Sequence, residues 1–217
     1  MLTIQMNLYG KLFSSLPLKQ SSLIHETLMW MQNDFQIPSP PEVKRSVLKR
    51  NGIPGANWIE TGTYLGDTSF YLSKLFSHVT TIEPNSDLHQ RAKVKYRNVK
   101  NIDFILGASE TRFEQVMQNQ SGMLNIFLDG HYSGGITSRT DYATPLIVEL
   151  DTILNHIERF DEIRLFVDDI RCMNPEIEEY SDYPSLITIL DKISSISSNV
   201  SIQHDILCLT LTPSKGI

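Results

Sequence analysis

The chain has 217 residues, 41% of them hydrophobic and 20% charged, which is enough apolar surface for one ordinary core and too much for a disordered chain. The net charge is -6 and no Lys/Arg block stands out, which argues against a nucleic-acid backbone as partner and favours an uncharged or cationic small ligand. Cys172 and Cys208 each stand alone, excluding a zinc spacing or a disulfide framework, and no stretch reads as a signal peptide or a membrane span; a cytoplasmic protein with reduced thiols is expected.

In chain order, residues 1 to 52 read as a helical extension. Ser21 or Ser22 is expected to cap a helix whose Leu23, Ile24, Leu28 and Met31 share a face. Ile37-Pro38-Ser39-Pro40-Pro41 is a stiff break, after which Pro41 suits the first turn of a second helix and Gly52 its end. This extension could act as a lid, a homodimer contact or a cap on the core of a main domain spanning 53–217.

From Asn57 short apolar runs alternate with helical stretches. Strands are expected at Asn57–Glu60, His78–Glu83, Ile102–Leu106, Leu124–Asp129 and Ile163–Asp168, with helices at Thr68–Phe76, Asp87–Tyr96 and Thr111–Met117. That alternation predicts an α/β fold, a doubly wound and mostly parallel sheet of seven strands. The last two runs, Ser198–His204 and Ile206–Thr212, have almost nothing between them, so only an antiparallel hairpin can join them.

Chemistry concentrates at the expected carboxyl ends of the strands. Glu60-Thr61-Gly62-Thr63-Tyr64-Leu65-Gly66-Asp67-Thr68 is a glycine turn after the first strand. Gly62 allows a sharp turn and a close ligand, Gly66 lets the next helix approach the strand, and Asp67 or Thr68 can cap that helix. Thr63-Tyr64 stands where a dinucleotide site needs a further glycine for the pyrophosphate, so a ligand without pyrophosphate is favoured. Glu60 would repel phosphate and accept hydrogen bonds from an ammonium group. Glu83, followed by Pro84, lies about 20 residues beyond Gly62, where an acid accepts the hydroxyls of an adenosine ribose. After the third strand, the small residues of Gly107-Ala108-Ser109 would admit an adenine ring, with Ser109 at its edge.

The ordered series Ile59–Gly66, Thr81-Ile82-Glu83, Leu106–Ser109 and Phe127-Leu128-Asp129 resembles the cofactor motifs of class I S-adenosylmethionine-dependent methyltransferases, most closely those of catechol O-methyltransferase-like enzymes. The resemblance covers about residues 57–170. It implies that Glu60, Gly62, Tyr64 and Thr68 surround the methionine part of S-adenosylmethionine, that Glu83 holds the ribose, and that Ser109 lies near the adenine; Thr63, Gly66, Pro84, Ala108 and Asp129 complete the expected cofactor set. The stretch His131–Thr137, with Thr144-Pro145 and Glu149-Leu150, also looks like a bacterial group of methyltransferase-like proteins found in surface-glycan pathways, which hints at a sugar acceptor.

The resemblance further suggests Mg²⁺. Asp129 ends the fourth strand, while Asp168 and Asp169 end the fifth; three converging carboxylates repel one another unless a cation or proton intervenes, and an all-oxygen set suits Mg²⁺, Mn²⁺ or Ca²⁺. These acids could equally cap a turn or bond backbone amides. The catalytic lysine of the catechol-type enzymes is missing from Asp129-Gly130-His131-Tyr132, and His131 is the natural substitute as base, with Asp129 beside it. Residues 133–150 form a long connection suited to a lid, with Arg139 either gripping an anionic group or solvated; Arg171 invites the same two readings. Tyr180–Pro184 could shape a pocket, and the remaining histidines read as structural or exposed. The function expected is methyl transfer to an oxygen of a small molecule or sugar. The alternatives are a metal-dependent hydrolase or transferase acting on a nucleotide-like substrate, and a non-catalytic protein that keeps the fold.

Overall fold

The structure is a computed structural model and describes residues 18–130 and 144–213. Fourteen longer elements follow in chain order: α1 (Leu18–Gln32), α2 (Pro41–Asn51), β1 (Asn57–Thr61), α3 (Asp67–Ser73), β2 (Val79–Glu83), α4 (Ser86–Lys95), β3 (Ile102–Leu106), α5 (Ser109–Gln118), β4 (Gly122–Leu128), α6 (Leu146–His156), β5 (Phe160–Val167), α7 (Leu186–Ile193), β6 (Ser197–Gln203) and β7 (Ile206–Leu211). They build one seven-stranded sheet of order β3-β2-β1-β4-β5-β7-β6. The first five strands in that order are parallel, while β7 runs antiparallel to both β5 and β6. The expected sheet and its terminal hairpin are therefore present.

The central strands bury both faces, because successive side chains point to opposite sides of a sheet. On one face Ile59, Ile126, Leu165 and Leu209 join Phe113 of α5, Leu150 of α6 and Ile189 of α7. On the other, Trp58, Phe127, Phe166 and Cys208 join Val47 and Leu48 of α2 and Leu72 of α3. Trp58 anchors this second layer: its ring stacks on Phe166 at 5.4 Å and meets Phe76 at 5.1 Å. The loop entering β1 is pinned by the fully buried Asn125, whose amide accepts from the Ile53 N–H at 2.7 Å and donates to the Ile53 carbonyl at 3.2 Å.

Helix α2 starts at Pro41 and closes on Gly52, as its sequence predicts. Other local expectations shift. Helix α1 begins at Leu18, so Ser21 and Ser22 lie inside it and cannot cap it. Its Leu28 and Met31 are exposed, so the apolar spacing there does not face the core. The stretch expected to be loop up to residue 150 ends sooner, because Leu146, Leu150 and Ile153 bury against the sheet as the inner face of α6. In the aromatic loop 180–184, Tyr183 is buried in the same core and Tyr180 packs against it. Both cysteines are buried, free thiols. No helix among the described residues is long and apolar enough to cross a membrane.

Candidate active site

The strand order reverses between β1 and β4, and an open α/β sheet offers its ligand crevice at such a point, beyond the carboxyl ends of the strands. Backbone hydrogen bonds carry the ladder past the strands themselves. Asp129 N–H donates to the Thr61 carbonyl at 3.1 Å, Asp168 N–H to Leu128 at 3.0 Å, and Gly107 N–H to Glu83 at 3.0 Å. The rim residues are thus held nearly as firmly as the sheet.

The glycine turn crosses this rim. A Cβ on Gly62, at φ +86°, would sit 2.3 Å from the Asp129 carbonyl oxygen. Gly62 is therefore demanded by the neighbouring strand end, and the close approach expected for a ligand is taken by protein backbone. Gly66, at φ +75°, is itself the cap of α3, and its open side is filled by Ala92 of α4 and by Tyr96, which caps the end of α4, rather than by β1. Asp67 and Thr68 consequently do not cap. The Asp67 carboxylate accepts from Lys95 Nζ at 2.7 Å and the Tyr96 hydroxyl at 2.8 Å, and the Thr68 hydroxyl accepts from Arg45 Nε at 3.4 Å.

Glu60 is almost wholly buried at the end of β1. Its Oε2 accepts from the hydroxyl of Ser69 and, at 2.8 Å, from that of Thr81, and Thr81 in turn shares a 2.6 Å hydrogen bond with buried Thr63. Burial pushes its carboxyl up to about 7, although both hydroxyl bonds and the charge of Arg45 pull the other way. Glu83 ends β2 with one oxygen accepting the Tyr64 N–H at 2.8 Å and the other the Asn85 N–H at 2.9 Å. Burial raises its carboxyl too, against the pull of those amides. Two amide bonds leave acceptor capacity on both oxygens. The bond to the Tyr64 amide accompanies a left-handed conformation of the half-exposed Tyr64, at φ 50°, which non-glycine residues adopt uncommonly. Pro84, partly buried, leads into the Asn85 side-chain cap of α4. Ala108 caps α5 and buried Ser109 opens it, beside Gly107 at φ 143°.

The acids of β4 and β5 do meet, in company that the sequence did not reveal. Burial raises Asp129 well above the ordinary carboxylate range and Asp168 above it; each is raised further by neighbouring carboxylates. Lys44 of α2 enters this cluster. Its Nζ lies 2.7 and 2.8 Å from the two oxygens of Asp168 and 2.7 Å from Asp169 Oδ1. Asp169, at φ 55°, also accepts from Arg171 at 2.6 Å, and Arg171 continues to the Asp205 carboxylate in the β6–β7 turn. Arg171 is a structural tie rather than a solvated or substrate-binding group. Among the described residues no group of three His, Cys, Asp or Glu side chains is arranged to hold a metal ion. The donor set does not fit the expected Mg²⁺, because the β5 acids are already engaged by an ammonium and a guanidinium.

Sequence reasoning missed Lys44 and its neighbour Arg45. No local pattern relates residue 44 to residue 168; the one available signal is the pair of cations one turn before the buried Val47-Leu48 on a helix whose apolar face must seat on the sheet. Glu149 was named only as part of a resemblance, yet it is buried with its Oε1 3.5 Å from the point where a Cβ on Gly130 would stand. His131, Tyr132 and Arg139, and with them the expected base, lie outside the described residues.

With this architecture in place, comparison with solved structures is informative about the fold. A candidate caffeoyl-CoA O-methyltransferase from Staphylococcus aureus, 15% identical, aligns over 97% of this chain and 98% of its own at a TM-score of 0.53. A SAM-dependent methyltransferase from Aquifex aeolicus, 14% identical, aligns over 81% of this chain and 94% of its own at 0.51. No protein-family model matches the chain, and neither does any curated protein. The chain has the Rossmann-like fold of the class I S-adenosylmethionine-dependent methyltransferases.

Proposed function

We propose that the protein is an S-adenosylmethionine-dependent methyltransferase acting on a hydroxyl oxygen of a small molecule or sugar. The observation that carries this reading is Glu83. It is a buried carboxylate at the end of β2, oriented by the Tyr64 amide of the glycine turn, one strand from the switch point of a sheet that ends in an antiparallel hairpin. The site suits a nucleoside without pyrophosphate. Gly62 already has the Asp129 carbonyl against it, and Glu60 and Glu83 would repel phosphates.

The cofactor residues we assign are Glu60, Gly62, Thr63, Tyr64, Gly66, Thr68, Glu83, Pro84, Ala108, Ser109 and Asp129. Glu83 accepts the ribose hydroxyls, Glu60 accepts hydrogen bonds from the cofactor's ammonium, whose charge draws off the proton that burial tends to keep on the carboxyl, and Ala108 and Ser109 flank the adenine. Gly62, Gly66 and Thr63 act indirectly, by holding the turn in shape.

When bound, the cofactor supplies a methyl group on a positively charged sulfur, which is already an activated electrophile. The protein then has to align an acceptor oxygen and take its proton. Asp129 stands at the β4 end of the rim, where burial and neighbouring carboxylates increase its hold on a proton, and we assign proton removal to Asp129 together with His131. Asp129 and His131 would take the proton of the acceptor hydroxyl, and the bound cofactor would give that oxygen its methyl group and leave as S-adenosylhomocysteine. The metal-dependent alternative reading loses its support with the β5 acids bound to Lys44 and Arg171.

The test is release of S-adenosylhomocysteine from S-adenosylmethionine over a panel of hydroxylated small molecules and sugars, with a ribosomal RNA as the contrasting acceptor. Turnover on a hydroxyl compound, abolished in Asp129→Asn, is expected. Turnover confined to RNA would overturn the acceptor class, and no turnover with any acceptor would favour a non-catalytic protein on this fold.

A further inference from the structure

Four carboxylates gather where β4, β5 and the β6–β7 turn end: Asp129, Asp168, Asp169 and Asp205. Their counter-charges come from within the chain. Arg171 joins Asp169 to Asp205, and the Arg171 N–H donates to Asp205 Oδ1 at 2.8 Å, which fixes the hairpin tip to the end of β5. Lys44 arrives from the opposite end of the sequence and sits within 2.8 Å of three carboxylate oxygens, two on Asp168 and one on Asp169.

Two features make this a built arrangement. The lysine is delivered by a seated helix: one turn later Val47 and Leu48 are fully buried in the same core layer as Trp58 and Phe166, so the backbone that carries Lys44 is fixed over the rim. The receiving carboxylates are fixed as well. Asp168 Oδ1 accepts the Asp169 N–H at 2.8 Å, and Asp169 is held in its left-handed conformation between Lys44 and Arg171. A divalent ion needs oxygen ligands at about 2.0–2.6 Å and would have to occupy the volume that the ammonium fills.

We propose that Lys44 is the resident cation of this rim, set where the resemblance to catechol-type enzymes would place Mg²⁺, so that the site is organised without a divalent ion. Lys44 is a positioning residue: it holds Asp168 and Asp169 together and balances the charge beside Asp129. A single positive charge supplies less field than a dication, so an acceptor hydroxyl here depends more on a side-chain base. The link to catalysis rests on the methyltransferase reading; the ion chemistry stands apart from it.

The experiment uses the full chain, stripped with EDTA and titrated with MgCl₂ or MnCl₂, followed by thermal denaturation and calorimetry without any cofactor. The wild-type Tm is expected to be the same in EDTA and in millimolar Mg²⁺, with no saturable ion binding. Lys44→Met leaves Asp168 without its cation and Asp169 with Arg171 alone: it should lower the Tm in EDTA and acquire a saturable rise with Mg²⁺ or Mn²⁺ that the added change Asp169→Asn removes. Lys44→Arg should restore the indifference to ions. Saturable Mg²⁺ binding by the wild type that Asp169→Asn abolishes would overturn the proposal, as would a folded Lys44→Met that gains nothing from either ion. Should Lys44→Met fail to fold, the wild-type and Lys44→Arg titrations decide the matter. S-adenosylhomocysteine binding, measured in parallel, fails separately: its absence refutes the methyltransferase reading and leaves the ion titrations interpretable.

Discussion

Replacing Glu60 by Gln should make the protein relatively more stable as the pH rises. In the folded chain the Glu60 carboxyl is pushed up to about 7 from its ordinary 4.5. Below the unfolded value the group is protonated in both states and contributes nothing to the difference. Between 4.5 and about 7 the unfolded chain releases the proton while the folded chain keeps it, so folding stability falls as pH rises through this window. At about 1.4 kcal/mol per pH unit the full loss above the window is about 3 kcal/mol. Gln keeps an oxygen for the Ser69 and Thr81 hydroxyls and has no proton to lose. Urea denaturation of both proteins from pH 4 to 8 should therefore show Glu60→Gln gaining about 3 kcal/mol on the wild type across the window. Parallel curves would refute the claim that a buried carboxylate is retained here at the expense of stability. On the proposed reading the carboxylate is retained to meet the cofactor's ammonium group, and the same variant should bind S-adenosylhomocysteine at least about tenfold more weakly, a loss of about 1.4 kcal/mol.

Three further outcomes are expected. Gly62→Ala places a Cβ 2.3 Å from the Asp129 carbonyl oxygen at φ +86°, so it should destabilise the fold by about 2 kcal/mol or more in urea titration; a neutral result would contradict the close approach of β1 and β4. Glu83→Ala removes the acceptor of the Tyr64 and Asn85 amides, and should lower stability by about 1–3 kcal/mol as well as weakening S-adenosylhomocysteine binding at least about tenfold by calorimetry. Trp58→Ala empties the centre of the second core layer, between Phe76 and Phe166, and should cost about 3–5 kcal/mol in chemical denaturation, with a much smaller cost indicating that α2 and the sheet repack.

The sheet was legible because each central strand is a short apolar run bounded by turn residues, and the tight link between β6 and β7 leaves only a hairpin. The carboxyl ends of the strands fall within one residue of those expected, because rim residues continue the ladder through backbone bonds, as Asp129 does onto Thr61, whereas β5 starts three residues earlier than expected, at Phe160. The position of the acids was legible for a related reason, since an acid closing a parallel strand lands at the carboxyl rim of the sheet. The partners of those acids were not. Lys44 and Arg45 reach the rim only because α2 seats Val47 and Leu48 on Trp58, and nothing in a local pattern connects them to β5 or to Glu60. The glycines show a third case. Their positive φ was foreseeable, whereas the atoms on their open sides, the Asp129 carbonyl and the Tyr96 ring, are set by tertiary packing.

The most direct test of the central claim is calorimetric titration of the EDTA-stripped protein with S-adenosylhomocysteine, alongside Glu83→Gln, which keeps the shape of the side chain and removes its charge. The account predicts saturable one-to-one binding by the wild type in the micromolar range, unaffected by Mg²⁺ and much weakened by Glu83→Gln. Absence of binding by the folded wild-type protein, or binding indifferent to Glu83, would contradict it.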